Sequence, residues 1–138
     1  EASDEVIVVT IPDPASITDS YALIKSASKI KDSFLLVLNM VKNQKEAENI
    51  FSKIQKVSSI YLKKDLSLTL LGKILKDENI SKSIKRRSLF TNDYPYSKAS
   101  TNMQDIARAL VFRLEQRVLE DSPNRGFGGF VRRLVEYF

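Results

Sequence analysis

Along the chain, three continuous apolar runs alternate with segments whose apolar residues recur every three or four positions. The first run, Asp4-Glu-Val-Ile-Val-Val-Thr10, is apolar at consecutive positions, the pattern of a strand buried on both faces of a parallel sheet. Pro12 and Pro14 are expected to stop it. A helix is predicted next, capped by Thr18, with Ile17, Tyr21, Ile24, Ala27 and Ile30 on one stripe and Asp19 in its first turn. A second run, Phe34 to Leu38, ends at Asn39 and leads through a polar turn to the stripe Ala47, Ile50, Phe51, Ile54 and Val57. A third run lies within Leu66 to Ile74, before Asp77-Glu78-Asn79 and a short basic helix over Ile80 to Arg87. From Ser100, the positions Met103, Ile106, Ala107, Leu110, Leu114 and Val118 mark a long helix, with Thr101 and Gln104 at capping-box spacing. Ser122-Pro123-Asn124 breaks it.

A strand feeding a helix three times over predicts an α/β fold with parallel strands, because a right-handed crossover helix is the usual route between parallel neighbours. Three strands are few for a doubly wound sheet. The expectation is therefore a partial doubly wound parallel sheet of three strands with flanking helices, its remaining strands lying before Glu1. Residues 1–121 form this part, and residues 122–138 form a hinge and a separate amphipathic helix. In that tail Phe127, Phe130, Val131, Leu134, Val135 and Phe138 make one apolar stripe, while Arg125, Arg132 and Arg133 supply positive charge. Such a helix can lie among lipid headgroups, each basic residue near anionic lipid adding roughly 1 kcal/mol. Alternatively, it docks on its own domain. The glycines Gly126, Gly128 and Gly129 favour a hinged, separable segment.

Composition narrows the chemistry. The 138 residues include no His and no Cys, which removes zinc sites, thiol nucleophiles, disulfides and histidine relays from the reach of these residues. With 22 Lys and Arg against 17 Asp and Glu, the formal charge of +5 points to an anionic partner. No apolar run approaches 18 residues, so the expectation is a cytoplasmic chain whose membrane contact is peripheral. The stretch Lys73, Lys76, Lys82, Lys85, Arg86 and Arg87 is interrupted by Asp77 and Glu78 and lacks interleaved aromatics. It reads as a solvated helix face, so nucleic acid is not the expected partner. Tyr94 and Tyr96 around Pro95 read as loop packing.

In open α/β sheets ligands sit beyond the carboxyl ends of the strands. Asn39 and the loop Leu75-Lys76-Asp77 both fall there. A carboxamide offers a donor beside an acceptor, which matches the N6 and N7 edge of adenine; the plainer alternative for Asn39 is a turn. No glycine-rich phosphate loop with its Lys occurs: the cluster Gly126-Phe127-Gly128-Gly129 follows no strand and lacks the cation. Phosphate binding and hydrolysis are therefore expected to come from outside these residues.

Several stretches carry a family resemblance. They are Asp4 to Pro14 running into Ser16 to Lys25, Leu38-Asn-Met-Val-Lys-Asn-Gln-Lys-Glu-Ala47, Leu71-Gly-Lys-Ile-Leu-Lys-Asp77, and Ser97-Lys-Ala-Ser100. In this order and spacing the chain resembles the carboxyl-terminal half of MinD-type ATPases, the ParA/MinD branch of P-loop proteins. Within that branch it looks most like the FlhG (YlxH) group, which regulates flagellar number and placement. The resemblance implies a P-loop NTPase-like fold, ATP as ligand, and Mg²⁺ held by residues outside this chain. It implies that Asn39 contacts adenine, that the backbone around Leu75 and Asp77 closes the base pocket, and that Asp13 and Asp19 lie on a dimer or partner surface. It also implies an ATP-dependent homodimer, an anionic membrane surface as partner of the tail, and a flagellar GTPase or activating peptide as a further partner. The family usually carries Pro at Leu75 and Glu at Asp13. Two other readings remain beside it: a ParA-like DNA-partitioning ATPase, and a non-enzymatic interaction module whose tail fills a partner's groove.

Overall fold

The structure is a computed structural model and describes residues 5–62 and 65–121. Within these residues, strands and helices alternate as β1 (Ile7–Thr10), α1 (Pro14–Ala27), β2 (Ser33–Val41), α2 (Gln44–Tyr61), β3 (Ser67–Leu75), α3 (Glu78–Lys85), α4 (Phe90–Asp93) and α5 (Lys98–Asp121). The sheet runs β1-β2-β3 with both pairings parallel. Each strand thus reaches its neighbour through a crossover helix, as the alternating pattern requires. The α/β architecture expected from the sequence is the one observed, with three parallel strands and flanking helices.

Packing divides the chain at the Ile106–Ala107 join. The unit before the join contains two cores, one on each face of the sheet. On one face Phe34, Leu36, Leu38 and Val41 of β2 pack with Val8, with Ile24 of α1, and with Ala47, Ile50 and Ile54 of α2. On the other face Val37 and Ile74 pack with Ala99 and Ile106 from the first turns of α5. β2, central and covered on both faces, is buried at every position from Phe34 to Leu38, which is why it reads as an unbroken apolar run. β1 is different. Ile7 is 41% and Val9 59% exposed, so the second face is covered over β2 and β3 but bare at β1. The described part of the unit after the join is the remainder of α5.

The β2–β3 ladder carries two compensating irregularities. Leu36 pairs with Leu70 but Val37 pairs with Gly72, leaving Leu71 as one extra residue on β3; beyond Leu38–Lys73, the next pair is Val41–Leu75. There Asn39 and Met40 oppose the single residue Ile74, a bulge on β2 that restores the starting register. Each extra residue flips the side-chain alternation of its strand. That is how Leu70 and Leu75 share one core although they are five positions apart, while Ile74 joins the other core. Met40 has φ 59°, the left-handed region that non-glycine residues enter at a cost of about 1 kcal/mol or more.

Helix starts differ from the sequence expectation in two places. Thr18 does not cap α1. The cap is Asp13, whose Oδ1 accepts from the N–H groups of Ala15 at 2.9 Å and Ser16 at 3.2 Å. Pro14 opens the helix instead of only ending the strand, because the first helical residue has no use for an N–H and proline's φ suits it. Likewise Thr101 is interior to α5, where its hydroxyl donates to Ser97 O. The oxygen at that helix start is Ser97 Oγ, which accepts from Ser100 N at 3.2 Å. The α2 start follows the pattern expected of a polar turn: Asn43 Oδ1 accepts from Glu46 N at 2.9 Å, and Glu46 Oε2 accepts from Lys42 N at 2.7 Å. At the other end of α3, Ser88 N donates to Ser83 O and Arg87 N to Ile84 O, both at 3.0 Å, with Arg87 at φ 55°. This is a helix stop usually given to glycine. The short α4 was not expected; Asp93 at its end accepts hydroxyls from Ser83, at 2.9 Å, and from Ser88. These bonds, Ser88 foremost, together with Arg86, hold the Asp93 carboxyl below its ordinary range.

No helix among the described residues is long and apolar enough to cross a membrane. The tail, residues 122–138, lies outside the described residues.

Candidate functional site

The carboxyl ends of β2 and β3 bring together the two segments singled out from the sequence. Asn39 sits in the β2 bulge, half-buried, and its Oδ1 accepts from Met40 N at 2.9 Å. Because only the carbonyl oxygen of the amide can accept an N–H, this bond fixes which end of the carboxamide lies at Met40 N and leaves Nδ2 as the donor end. The left-handed turn at Met40 makes this bond short-range, and the bulge displaces the chain at the point where a strand would otherwise pair evenly. Asn39 therefore takes part in a turn. Its alternation with Leu35 and Val37 puts it on the face of the sheet that α5 covers.

Across the bulge the exit of β3 is pinned at three points. Lys76 N donates to Val41 O at 2.9 Å, Leu75 N donates to Asn102 Oδ1 of α5 at 3.1 Å, and Asp77 closes the loop with both carboxylate oxygens. Asp77 Oδ1 accepts from Asn79 N at 2.9 Å, capping α3, and Oδ2 accepts from Ala99 N at 3.2 Å in the first turn of α5. Two helix starts thus converge on one carboxylate. The Asn79 N–H is the largest cause of its lowered pKa; burial opposes it, and the Ala99 N–H, the Ser97 hydroxyl and the Lys82 charge act with it. Since the carboxylate is committed to these N–H groups, what Asp77 leaves for a ligand is its backbone and the loop shape it imposes.

The peptide joining Leu75 to Lys76 has a directional consequence. Its N–H points at β2 through the Val41 bond, so in a trans-planar peptide its carbonyl, that of Leu75, points away from β2; no cis peptide occurs among the described residues. With the N–H groups of Leu75 and Lys76 both engaged, the group this turn offers a ligand is an acceptor.

Asp13 and Asp19 lie elsewhere, the first at the start of α1 and the second on it. Asp13 is spent on the helix cap. Asp19 is exposed and borders an open groove of about 520 Å³ with Ile7, Val8, Val9, Ser16, Ser20 and Leu23. The groove runs along β1, and neither Asn39 nor Leu75 lines it. Near its head Thr10 Oγ1 and Ser16 Oγ are 3.0 Å apart, tying the end of β1 to α1. Lys76, Lys82, Lys85, Arg86 and Arg87 are exposed and Lys73 half-buried, the arrangement of a solvated face. Among the described residues no group of three or more acids could hold a metal ion. Arg125, Phe127, Phe130, Val131, Arg132, Arg133, Leu134, Val135 and Phe138 lie outside the described residues.

Asn102 was missed. The signal was present: it stands three residues after Ala99 and four before Ile106, on the stripe of α5 that packs against β3. A polar residue at such a position needs a partner, and here the partner is a strand-end N–H.

No family model matches the chain. Among curated proteins it is similar to the flagellum site-determining protein YlxH of Helicobacter pylori, 37% identical over 136 residues, which cover 99% of this chain and 46% of that protein. It is also similar to the antiactivator FleN of Pseudomonas aeruginosa, 32% identical over 138 residues, covering 99% of this chain and 47% of that protein. The chain spans about half the length of these relatives. The similarity thus extends along essentially the whole chain, and the chain corresponds to part of a protein of the YlxH and FleN type.

Proposed function

We propose that this chain is the carboxyl-terminal part of an ATP-binding, ATP-hydrolysing regulator of flagellar number and placement, in which the ends of β2 and β3 form one wall of an adenine pocket. The observation that carries this reading is the pairing of the Asn39–Met40 bulge with the pinned Leu75–Asp77 turn at the carboxyl edge of a parallel sheet, where α/β folds receive ligands. The chemistry on offer fits adenine. The Asn39 carboxamide, its oxygen bonded to Met40 N, keeps an Nδ2 donor that matches N7. The Leu75 carbonyl is an acceptor, matching an exocyclic amine where guanine would present a second acceptor. The reading is supported by similarity to proteins named for flagellar site determination and antiactivation.

Phosphate binding, Mg²⁺ ligation and hydrolysis are assigned to polypeptide beyond this chain. The outer side of β1, with its exposed Ile7 and Val9 and the adjoining groove, is the natural place for further strands of that polypeptide. ATP-dependent dimerisation, with Asp13 and Asp19 near the dimer or partner surface, would bring two tail helices to the cytoplasmic face of the membrane together. One short interfacial helix binds lipid weakly, whereas two linked helices gain an effective-concentration factor on the order of a hundredfold or more. Nucleotide state then gates location, and a flagellar GTPase or activating peptide times release.

The test is Asn39→Ala in the full-length protein, with ATP and GTP affinities measured side by side. Loss of about 1–2 kcal/mol for ATP with reduced preference over GTP is expected. Unchanged affinity for both nucleotides removes Asn39 from the site.

A further inference from the structure

We propose that Asn102 is a positioning residue for purine recognition, holding the Leu75–Lys76 turn against the first turns of α5 so that the turn keeps the shape the base reads. The proposal rests on the adenine reading of that turn. Its independent support is geometric. Among the described residues β3 is an edge strand, and no strand there pairs with the Leu75 N–H, which is turned away from β2; Asn102 Oδ1 takes it at 3.1 Å from a helix 27 residues further along the chain. One turn earlier on the same helix, Ala99 N donates to Asp77 Oδ2 at 3.2 Å. The segment is therefore held at both ends, by α5 side chain to strand backbone at Leu75 and by loop side chain to α5 backbone at Asp77.

Position argues against an incidental bond. Asn is among the poorer helix formers, and a half-buried Asn on the packed stripe of α5 disfavours the helix unless its amide is used. It is used on Leu75, the residue whose carbonyl the adenine reading assigns to the base. Freeing the Leu75 N–H would leave the turn held by the Lys76 N to Val41 O bond and by Asp77, loosen it at Leu75, and offer a purine an unpaired donor beside the acceptor. The phosphates, bound elsewhere, would be unaffected. Loss of Asn102 should therefore affect base discrimination more than nucleotide binding in general.

The experiment uses the full-length protein, with ATP and GTP dissociation constants from displacement of a fluorescent nucleotide and the melting temperature without nucleotide as the folding control. Asn102→Ala should weaken ATP about tenfold and leave GTP within about twofold, so that discrimination collapses. Asn102→Asp keeps an acceptor oxygen in the same place and should restore ATP affinity to within about threefold. A folded Asn102→Ala that still discriminates, or that loses ATP and GTP equally, overturns the proposal, as does failure of Asn102→Asp to rescue. Should Asn102→Ala not fold, hydrogen exchange on the wild type decides: ATP must protect residues 72–77 and 98–103 together, and protection of neither or only one overturns it. A wild type that binds ATP and GTP alike refutes the adenine reading itself, and the proposal falls with it; a discriminating wild type with an indifferent Asn102→Ala refutes the proposal alone.

Discussion

Gly72→Ala tests the packing that seats α5 on the sheet. Gly72 pairs with Val37 immediately after the Leu71 bulge, and its φ is not in the left-handed region. Backbone conformation therefore does not require glycine. On conformational entropy alone alanine would stabilise the strand by about 0.4–1 kcal/mol. Sterics reverse the sign. A Cβ built at Gly72 lies 2.4 Å from Ile106 Cγ1 and 3.3 Å from its Cδ1, against a normal carbon–carbon separation of about 3.5–4.0 Å. Ile106 is buried with Val37, Ile74 and Ala99, and a β-branched side chain on a helix has one strongly preferred χ1, which fixes Cγ1. The overlap of about 1 Å must be relieved by moving α5 or the strand, at about 1–3 kcal/mol. Urea unfolding of the full-length protein, followed by circular dichroism, should show the midpoint falling with an unchanged slope. Ile106→Ala removes the clashing atom and costs about 2 kcal/mol or more on its own, yet the double variant should be more stable than the sum of the two losses by about 0.5–3 kcal/mol. Neutral Gly72→Ala, or strictly additive losses, would refute the seating of α5 over this strand.

Other substitutions probe the site from different sides. Asp77→Ala removes the acceptor for two helix starts and should cost about 0.5–2 kcal/mol. Because the folded carboxyl lies below its ordinary value, its contribution is present above the unfolded value near about 3.9 and is lost as pH falls through the lower folded value; the variant should therefore show a shallower acid limb in stability against pH, and an unchanged limb would contradict the assignment. Met40→Ile, at an exposed side chain, should nevertheless destabilise by about 1 kcal/mol because a β-branched residue resists φ 59°, whereas Met40→Gly should be close to neutral, both read from thermal melts. Phe130→Asp in the full-length protein should abolish co-sedimentation with anionic vesicles while ATP binding persists; retained sedimentation would count against the tail as anchor.

The order and type of the main elements were legible because each is coded locally. Phe34 to Leu38 reads as a strand covered on two faces because every one of its side chains is in fact buried, and Ala47, Ile50 and Ile54 read as a helix stripe because one side of α2 meets the sheet. That Asn39 and the Leu75–Asp77 turn lie side by side at one end of the sheet was legible for a similar reason: both follow apolar runs that pair in parallel, and this is the end where ligands of open parallel sheets gather. Helix caps were less so, since Asp13 and Thr18, or Ser97 and Thr101, are both capable of capping and stand only five and four residues apart, and proline geometry or the fit of the preceding loop selects between them. What no local pattern contains is the pairing of distant segments. The two compensating bulges exist only in the alignment of β2 with β3, the glycine at 72 is explained only by Ile106 lying over it, and Asn102 gains its role only because α5 crosses the end of a strand 27 residues upstream. These depend on which surfaces meet, a free-energy balance over the whole unit that single-segment periodicity does not carry.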